Sequence, residues 1–295
     1  MPRVWKQRVN TVLTRATGYQ LTRAGTAPQR DGRLSATTER LEKVTRTLER
    51  VATGATAGAA AAKKPAPAPA REFPRDYGED YQEIIRAVRP YTMTGNDKLH
   101  SLITATRYIE RYGIPGAVVE CGVWRGGSMH AVARVLDQLG SHDRDLYLFD
   151  TFEGMSEPTE KDVRFDGQQA AQMLSRFDKT SKVWAYASLE DVQQGFATVP
   201  YPADRVHYVK GRIEETVPAE APEQISILRL DTDWYESTKH EFEHLYPRLV
   251  SGGVLMIDDY GFWQGSREAT DEFLERTGER LLLIRMDSGR VAVKP

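Results

Sequence analysis

Seven short apolar segments alternate with helical patterns along residues 117–294 of the 295-residue chain. Each segment is apolar at successive positions, which is typical of strands in a parallel sheet that helices cover on both faces. Only Asp287, Ser288 and Gly289 separate the last two segments, so these two must pair as an antiparallel hairpin. The pattern predicts an α/β fold with a seven-stranded sheet, helices on both of its faces and an antiparallel C-terminal hairpin. The predicted strands are residues 117–123, 145–152, 206–211, 225–233, 253–261, 281–286 and 290–294.

Helical periodicity fills the intervals between these strands and continues N-terminal to the first of them. The predicted helices are residues 79–89, 96–112, 127–140, 168–177, 189–198, 236–250 and 266–277. The interval 153–187 is long for a connection between two strands and is rich in polar and aromatic residues. It is predicted either as a lid over a bound acceptor, with Tyr260, Phe262, Trp263 and Gln264 as the floor, or as a surface loop with buried aromatic side chains.

Charge is distributed unevenly along the chain. The net charge is −2 overall, but residues 1–72 carry +9 and residues 73–295 carry −11. Residues 53–72 consist mainly of Ala, Pro and Gly and indicate a linker. The distribution therefore predicts a basic helical extension over residues 1–52, the linker, and one globular domain over residues 73–295.

The extension contains two further patterns. Residues 1–24 mix apolar residues with a basic face, which predicts either a solvated helix or arm, or a helix that lies on anionic lipid. Apolar residues repeat every seven positions between residues 34 and 51, which indicates a short coiled coil and a homo-oligomer. Cys121 is the single cysteine, and no apolar run in the sequence reaches the ~18–20 residues of a membrane span. We therefore expect a cytoplasmic protein, at the inner face of the membrane if residues 1–24 bind lipid, with no nucleic acid partner.

The first predicted strand runs into the sequence ECGVWRGGS at residues 120–128, and a helix follows directly. Glycines allow a tight turn close to a ligand, and a helix N-terminus offers free N–H groups. Such a turn can serve several nucleotides, but a carboxylate at Glu120 would attract the ammonium and sulfonium of S-adenosylmethionine and would repel a diphosphate. Alternatively, Glu120 pairs with an internal arginine. Asp150 ends the second strand, where an acid can bind ribose hydroxyls, and residues 210–212 end the third, beside the predicted adenine pocket.

Four aspartates lie in the C-terminal parts of the fourth and fifth predicted strands, each pair after a run of apolar residues: Asp231, Asp233, Asp258 and Asp259. The carboxyl ends of parallel strands meet at one edge of the sheet, so these side chains should converge there. Clustered carboxylates raise each other's pKa unless a cation balances them, and ligands that offer only oxygen favour Mg²⁺, Mn²⁺ or Ca²⁺ over Zn²⁺. Alternatively, Asp233 caps the following helix and Asp259 caps a turn. Two pairs of acids at strand ends favour the divalent-cation site.

Five motifs of this sequence resemble those of the macrocin O-methyltransferase family of antibiotic-sugar methyltransferases. They are YTMT (91–94), VECGVWRGGS (119–128), FDTFEGM (149–155), LRLDTDWYEST (228–238) and IDDYG (257–261). The resemblance implies a class I methyltransferase fold, whose sheet has the seven strands and the terminal hairpin predicted above. It also implies S-adenosylmethionine as the donor, Mg²⁺ or Mn²⁺ as the metal, and methylation of a hydroxyl, usually on a sugar. Residues 1–72 are expected to lie outside the family's pattern.

The resemblance also implies roles for individual residues. The expected metal ligands are Asp231, Asp258 and Asp259. Asp233 is the expected general base that accepts the hydroxyl proton, and His100 and His130 are alternative bases. The glycine-rich turn and the resemblance together place at the donor the residues Thr94, Glu120, Gly122, Gly126, Gly127, Ser128 and Asp150.

Two other functions are compatible with parts of the sequence. An NAD-dependent oxidoreductase could use a Rossmann-like sheet and Asp150, but it would need neither Glu120 nor four aspartates at strand ends. A non-catalytic, membrane-associated scaffold could depend on residues 1–52 alone. The intact motifs favour the methyltransferase over both.

Overall fold

All seven predicted strands are present in the computed structural model, which describes residues 72–295. The strands are β1 (Ala117–Cys121), β2 (Leu146–Asp150), β3 (Val206–Lys210), β4 (Ile225–Leu230), β5 (Leu249–Ile257), β6 (Ile284–Met286) and β7 (Gly289–Val293). They form one sheet in the order β3-β2-β1-β4-β5-β7-β6. Strands β1 to β5 run parallel, and β7 is antiparallel to both β5 and β6. The predicted parallel sheet with a terminal hairpin is confirmed.

The predictions for the N-terminal extension lie outside the described residues. These are the basic segment 1–24, the coiled coil 34–51 and the linker 53–72, of which only the last residue is described. From Glu72 onward the chain belongs to one compact unit. Among the described residues, none of the helices combines the length and the apolar composition needed to cross a membrane.

Eight α-helices connect or flank the strands within residues 72–295. They are α1 (Glu79–Val88), α2 (Asn96–Arg111), α3 (Gly127–Gln138), α4 (Ala170–Leu174), α5 (Leu189–Phe196), α6 (Ile213–Thr216), α7 (Tyr235–His244) and α8 (Gln264–Thr277). Helix α6 is absent from the predicted set because four residues are too few to show helical periodicity. The predicted helix 236–250 ends instead at His244, and Pro247, which lacks an N–H donor, lies in the turn that leads into β5 at Leu249.

Side chains on the sheet alternate between two apolar cores. Val118 packs in a core with α2, α3 and α5, whereas Val119 and Cys121 pack in a second core with α7 and α8. Fully burying a valine or leucine side chain stabilises a fold by about 1.5–3 kcal/mol, which explains why the strands are apolar at successive positions. The prediction of helices on both faces is confirmed. Helix α1 packs against α2 and α3 in a third apolar cluster.

The strand order reverses between β1 and β4, which are neighbours in the sheet. The chain leaves β1 toward α3 in the first core and leaves β4 toward α7 in the second core. Because the two connections diverge to opposite faces, a crevice opens at the carboxyl ends of these strands. The candidate site lies in this crevice.

Candidate active site

A cavity of about 600 Å³ opens at the carboxyl ends of β1, β2, β4 and β5. This volume lies in the range of ~300–1,000 Å³ that is common for small-ligand sites. The predicted site residues that line it are Thr94, Gly122, Asp150, Asp231, Asp233, Asp258 and Asp259. The predicted site residues outside its lining are Glu120, Gly126, Gly127 and Ser128. The structure thus brings the predicted metal ligands, the predicted base and part of the predicted donor site to one cavity.

Gly122 allows the ends of β1 and β4 to lie in direct contact. Its φ is +81°, and a Cβ atom on this residue would lie 2.1 Å from Asp231 O. Gly122 N donates to Phe149 O at 2.8 Å, so the turn is also tied to β2. A side chain here would displace the segment that carries Asp231. Gly122 is therefore required both for the turn and for the position of Asp231.

The start of α3 supports the cavity wall from behind. Gly126 precedes the helix with a left-handed backbone, at φ +78°. A Cβ atom on Gly127 would lie 2.5 Å from Tyr91 O. The absence of a side chain here therefore allows the backbone that leads to Thr94 to pack against the start of α3. Ser128 Oγ lies 3.4 Å from Thr94 Oγ1. Gly127 and Ser128 thus lie against the segment that carries Thr94. Direct contact of Gly126, Gly127 and Ser128 with the donor stays a prediction.

Asp150 lines the cavity and also closes the glycine-rich turn. Its Oδ2 accepts hydrogen bonds from the N–H groups of Val123 and Trp124 at 2.7 and 3.0 Å. Its Oδ1 accepts one from Phe152 N–H at 2.7 Å, whereas the hydroxyl of Thr151 donates to Gly154 O at 2.6 Å. A carboxylate has about four acceptor positions, and these three N–H groups leave part of that capacity unused. Ribose binding by Asp150 stays a prediction.

Glu120 is buried against an internal arginine, as the alternative prediction for this residue proposes. Arg229 Nη1 donates to Glu120 Oε1, and Arg229 Nη2 donates to Thr94 Oγ1 at 3.2 Å. Burial raises the pKa of Glu120 to about 7, although Arg229 opposes this effect. Glu120 Oε2 is buried without a hydrogen-bond partner among residues 72–295. The Glu120 carboxylate therefore stabilises Arg229 behind the cavity wall, and its contact with the donor stays a prediction.

The three predicted metal ligands converge at the ends of β4 and β5. One carboxylate oxygen from each of Asp231, Asp258 and Asp259 lies within 4.8 Å of the others. Arg229 Nη1 lies 2.7 Å from Asp231 Oδ2, and Arg229 Nη2 donates to Asp258 Oδ1 at 2.5 Å. Lys98 Nζ donates to Asp258 Oδ2 and, at 3.0 Å, to Asp258 O. Two buried cations of the chain thus balance part of the negative charge.

The cluster still carries more acid than its own cations balance. Its acids are Glu120, Asp231, Asp233, Asp258 and Asp259, and its cations are Lys98 and Arg229. Burial and the neighbouring carboxylates raise the pKa of Asp231 and of Asp259 well above the usual range. Burial would also raise the pKa of Asp258, but Arg229 and Lys98 outweigh it and hold that pKa below its usual value. Oxygen ligands with excess negative charge fit a hard divalent cation, which would lower the raised pKa values.

Asp233 lies in the connection from β4 to α7 with a left-handed backbone, at φ +68°. Its Oδ1 accepts a hydrogen bond from Trp263 Nε1 at 2.6 Å, and its N–H donates to Asp259 Oδ2 at 3.2 Å. Burial, together with Asp231, raises the pKa of Asp233 to about 8. The predicted base and one predicted ligand are therefore held together. The Asp259 carboxylate thus binds the β4 connection, and within residues 72–295 it accepts no N–H group of its own turn.

The alternative that Asp233 caps the following helix is wrong. Helix α7 has Trp234 as its N-cap residue, without a side-chain cap. The N–H group of Tyr235 donates instead to Asp162 Oδ1 at 2.7 Å. Asp162 is fully buried and belongs to the crossover segment, residues 151–188, which follows β2. This segment supplies the acceptor at the N-terminus of α7.

The crossover segment forms one wall of the cavity. Its lining residues are Thr151, Gly154, Met155, Ser156 and Ala185. Ser156 O accepts a hydrogen bond from Trp234 Nε1 at 3.1 Å, and Arg164 forms a β-bridge with Trp263. Of the predicted floor residues, Phe262 lines the cavity, whereas Tyr260, Trp263 and Gln264 do not. The segment therefore encloses the cavity, and its contact with an acceptor stays a prediction.

The end of β3 borders the same cavity. Gly211 and Arg212 line it, whereas Lys210 Nζ pairs with Glu153 at 3.0 Å on the surface. Two residues of the segment 210–212, Gly211 and Arg212, thus lie at the cavity, and their contact with adenine stays a prediction.

The two histidines considered as alternative bases do not line the cavity. His130 on α3 packs between Tyr91 and Phe196, with ring centroids 4.8 and 4.5 Å away, and burial lowers its pKa to about 4. His100 on α2 packs against the ring of Tyr77 at 4.2 Å. Both side chains have structural contacts, which leaves Asp233 as the predicted base.

The two buried cations of the site, Lys98 and Arg229, are not predicted from the sequence. Lys98 lies on the apolar face of α2, one turn before Leu102, and Arg229 interrupts the apolar run of β4. Lysine and arginine are rarely fully buried unless they are paired, so a charged residue at a core position is a signal of a buried partner. The partners themselves come from distant parts of the chain, so only the fold identifies them.

Known proteins similar to this chain are O-methyltransferases. The sequence profile described as macrocin O-methyltransferase (TylF) matches residues 20–294. Mycinamicin III 3''-O-methyltransferase from Micromonospora griseorubida is 32% identical over 213 residues, which are 72% of this chain and 80% of that protein. The 8-demethyl-8-(2,3-dimethoxy-alpha-L-rhamnosyl)-tetracenomycin-C 4'-O-methyltransferase from Streptomyces olivaceus is 34% identical over 205 residues, which are 70% of this chain and 74% of that protein.

Solved structures agree with the fold. The O-methyltransferase NovP aligns with a TM-score of 0.61 at 28% sequence identity, over 69% of this chain and 82% of that chain. The calicheamicin methyltransferase CalS11 aligns with a TM-score of 0.52 over 93% of this chain and 99% of that chain. At 18% identity, this second likeness supports the class I fold alone.

The family match also corrects one expectation and decides between the functions considered above. It begins at residue 20, so the expectation that all of residues 1–72 lie outside the family's pattern is wrong. It argues against both the oxidoreductase and the scaffold, because the matching proteins are named as O-methyltransferases. The chain belongs to the macrocin O-methyltransferase family and is an S-adenosylmethionine-dependent O-methyltransferase.

Proposed function

We propose that this enzyme methylates a hydroxyl of a sugar or glycoside and that it depends on a divalent cation, Mg²⁺ or Mn²⁺. The proposed ligands of the cation are Asp231, Asp258 and Asp259. The observation that carries the proposal is the convergence of these carboxylates in the wall of a cavity that Gly122 and Thr94 also line. One relative acts on a rhamnosyl derivative of tetracenomycin, which supports a sugar as the acceptor.

The reaction needs help because a sugar hydroxyl is a poor nucleophile at neutral pH. When bound, a divalent cation lowers the pKa of a hydroxyl that coordinates it. S-adenosylmethionine, when bound, supplies an electrophilic methyl group. The remaining tasks belong to the chain itself: it must hold the acceptor, provide a proton acceptor and limit the access of water.

Asp233 is the residue proposed to accept the hydroxyl proton. Trp263 Nε1 donates a hydrogen bond to Asp233 Oδ1. Asp233 Oδ2 makes no hydrogen bond to another residue in the range 72–295. We therefore assign the transferred proton to Oδ2 of the ionised carboxylate. Burial and Asp231 disfavour this ionised form, and a positive charge next to Asp231 would favour it. The hydrogen bond from Asp233 N–H to Asp259 keeps this oxygen close to the carboxylate cluster.

The two substrates are proposed to occupy different sides of the cavity. Gly122 follows β1 and Asp150 ends β2, and these two residues form the proposed donor side. Met155, Trp234 and Phe262 line the side proposed for the acceptor, where they offer apolar surface to the C–H groups of a sugar ring. Because β4 lies next to β1 in the sheet, the carboxylates at the ends of β4 and β5 adjoin the donor side.

Methyl transfer to a panel of glycosides tests this function. With purified enzyme, S-adenosylmethionine and Mg²⁺, we expect mass spectrometry to detect the addition of one methyl group to a sugar hydroxyl. Addition of EDTA is expected to stop the transfer, and excess Mg²⁺ or Mn²⁺ is expected to restore it. Transfer that persists in EDTA would refute the cation dependence, and transfer that occurs only to hydroxyls outside sugars would refute the acceptor class.

Asp231→Asn tests the cation site within the same assay. We expect kcat/KM to fall by about 100-fold or more, because the variant loses one charged ligand. Calorimetry is expected to show donor binding close to that of the wild type. Asp204→Asn, an exposed residue before β3, is the matched control and should behave like the wild type. Full activity of Asp231→Asn would contradict the assignment.

A further inference from the structure

Both carboxylate oxygens of Asp258 are already engaged by buried cations of this chain. Lys98 Nζ donates to Asp258 Oδ2 and to Asp258 O, the latter at 3.0 Å. Arg229 Nη2 donates to the other carboxylate oxygen, Oδ1, at 2.5 Å. The side chains of Lys98 and Asp258 are each only 9% exposed, so water screens this contact weakly.

The other two proposed ligands are engaged less completely. Asp231 Oδ2 lies 2.7 Å from Arg229 Nη1. Asp259 forms no ion pair with a lysine or arginine of the described part of the chain, and its Oδ2 accepts only the N–H group of Asp233, at 3.2 Å. A divalent cation that bound all three carboxylates would therefore meet a competing positive charge mainly at Asp258.

Lys98 and Arg229 differ in how easily each side chain could move away from Asp258. Arg229 pairs with Glu120, Asp231 and Asp258 at once and does not line the cavity. Lys98 has one carboxylate partner and lines the cavity at the end of a flexible four-carbon side chain. Lys98 is therefore the cation that an incoming ion can displace.

We propose that Lys98 is a positioning residue that competes with the divalent cation for Asp258 and thereby sets the affinity of the site for that cation. This inference rests on the proposed function. A divalent cation and an ammonium at the same carboxylate oxygen would repel each other, so a bound cation would favour movement of the Lys98 ammonium away from Oδ2. Without the Lys98 ammonium the net charge of the site is more negative by one, and Oδ2 of Asp258 is available to the cation.

Lys98→Met is the variant that tests the proposal, because methionine keeps the length and the apolar stem of lysine without its charge. Asp258 stays paired with Arg229 in this variant, which supports folding. Lys98→Gln repeats the test with a neutral polar side chain. Lys98→Arg keeps the positive charge. Lys294→Met is the matched control, since this half-buried lysine donates to Tyr246 O and Leu249 O at the opposite end of β5.

The measurement is a titration of the full-length, EDTA-treated and desalted protein with MnCl₂, followed by calorimetry and by the electron paramagnetic resonance signal of free Mn²⁺. We expect Lys98→Met and Lys98→Gln to bind Mn²⁺ about tenfold more tightly than the wild type, because a competing charge is removed. Lys98→Arg should bind no more tightly than the wild type. Lys294→Met should bind with wild-type affinity.

The outcomes separate this inference from the proposed function. Unchanged or weaker Mn²⁺ binding by folded Lys98→Met and Lys98→Gln, with clear binding by the wild type, would overturn the inference alone. Binding by the neutral variants but not by the wild type would support the inference and contradict the cation dependence proposed for the enzyme. Failure of every protein to bind Mn²⁺ would overturn both.

Discussion

The contact between β1 and β4 depends on a residue without a side chain. The carbonyl oxygen of Asp231 lies 2.1 Å from the position that a Cβ atom of Gly122 would take, and the φ of Gly122 is +81°. An alanine at this position would therefore combine a steric conflict with a backbone conformation that side chains disfavour. Because the conflict involves the backbone of Asp231, its effect reaches the carboxylate cluster directly.

Gly122→Ala is accordingly expected to lower the free energy of unfolding by about 2–5 kcal/mol, the sum of left-handed backbone strain and displacement of a packed neighbour. Gly113→Ala is the matched control, because Gly113 also has a positive φ, +62°, but open space around its Cβ position. The free energy of unfolding of Gly113→Ala should fall by only ~1–2 kcal/mol. Urea denaturation of both variants measures the difference. Equal losses would show that the approach to Asp231 does not constrain the turn.

At the scale of secondary-structure elements, the crossover segment is attached to the helices by Asp162. Asp162 Oδ1 accepts the N–H group of Tyr235 at 2.7 Å, and Oδ2 accepts the N–H group of Thr159 at 2.6 Å. A Cβ atom on Gly265 would lie 2.3 Å from Asp162 Oδ1, so the start of α8 packs closely on the same carboxylate. One buried side chain thus connects the cavity wall to α7 and α8. Its removal would leave the N–H group of Tyr235 without an acceptor.

Asp162→Ala is expected to loosen the crossover segment while the sheet stays folded. Because this segment forms the proposed acceptor side, KM for the acceptor should rise about tenfold, while calorimetry should show a much smaller change in donor affinity. Limited proteolysis should cut residues 151–188 faster than in the wild type. Asp166→Ala, which removes an exposed carboxylate of the same segment that pairs with Arg164, is the control. Equal losses of donor and acceptor affinity would contradict this division of the cavity.

At the scale of the whole molecule, the fold is expected to be stable without the proposed cation. Two apolar cores cover the sheet, and Lys98 and Arg229 already neutralise part of the acid cluster. The protein therefore resembles neither a zinc finger nor another small domain whose fold requires its metal.

Removal of divalent cations with EDTA is therefore expected to leave the circular dichroism spectrum unchanged. Addition of Mn²⁺ at about 100 times its dissociation constant should stabilise the fold by ~2.7 kcal/mol, seen as a rise of several degrees in Tm. EDTA that is already saturated with Mg²⁺ controls for effects of the chelator itself. Unfolding by EDTA alone would show that the internal cations do not balance the cluster.

Much of the architecture could be predicted because it follows from patterns among neighbouring residues. Short apolar runs indicate the strands, and the three residues between the last two runs indicate the hairpin. The start of β5 could not be predicted, because Gly252 and Gly253 resemble a turn, whereas the strand begins at Leu249 and passes through them. Pairing between β4 and β5 is irregular in this region, and only the neighbouring strand reveals it.

Local order along the chain was enough to place four aspartates at two strand ends and a glycine-rich turn at a third, because strand periodicity and chain order are properties of neighbouring residues. The tertiary structure decided which charges meet. Lys98 reaches Asp258 across 160 positions, and Arg229 reaches it across 29. The tertiary structure also determines that Glu120 pairs with Arg229. It likewise determines that the Asp150 carboxylate accepts hydrogen bonds from the glycine-rich turn. Coulomb energy and hydrogen bonding depend on distances in space between distant elements, and those distances exist only once the sheet has formed.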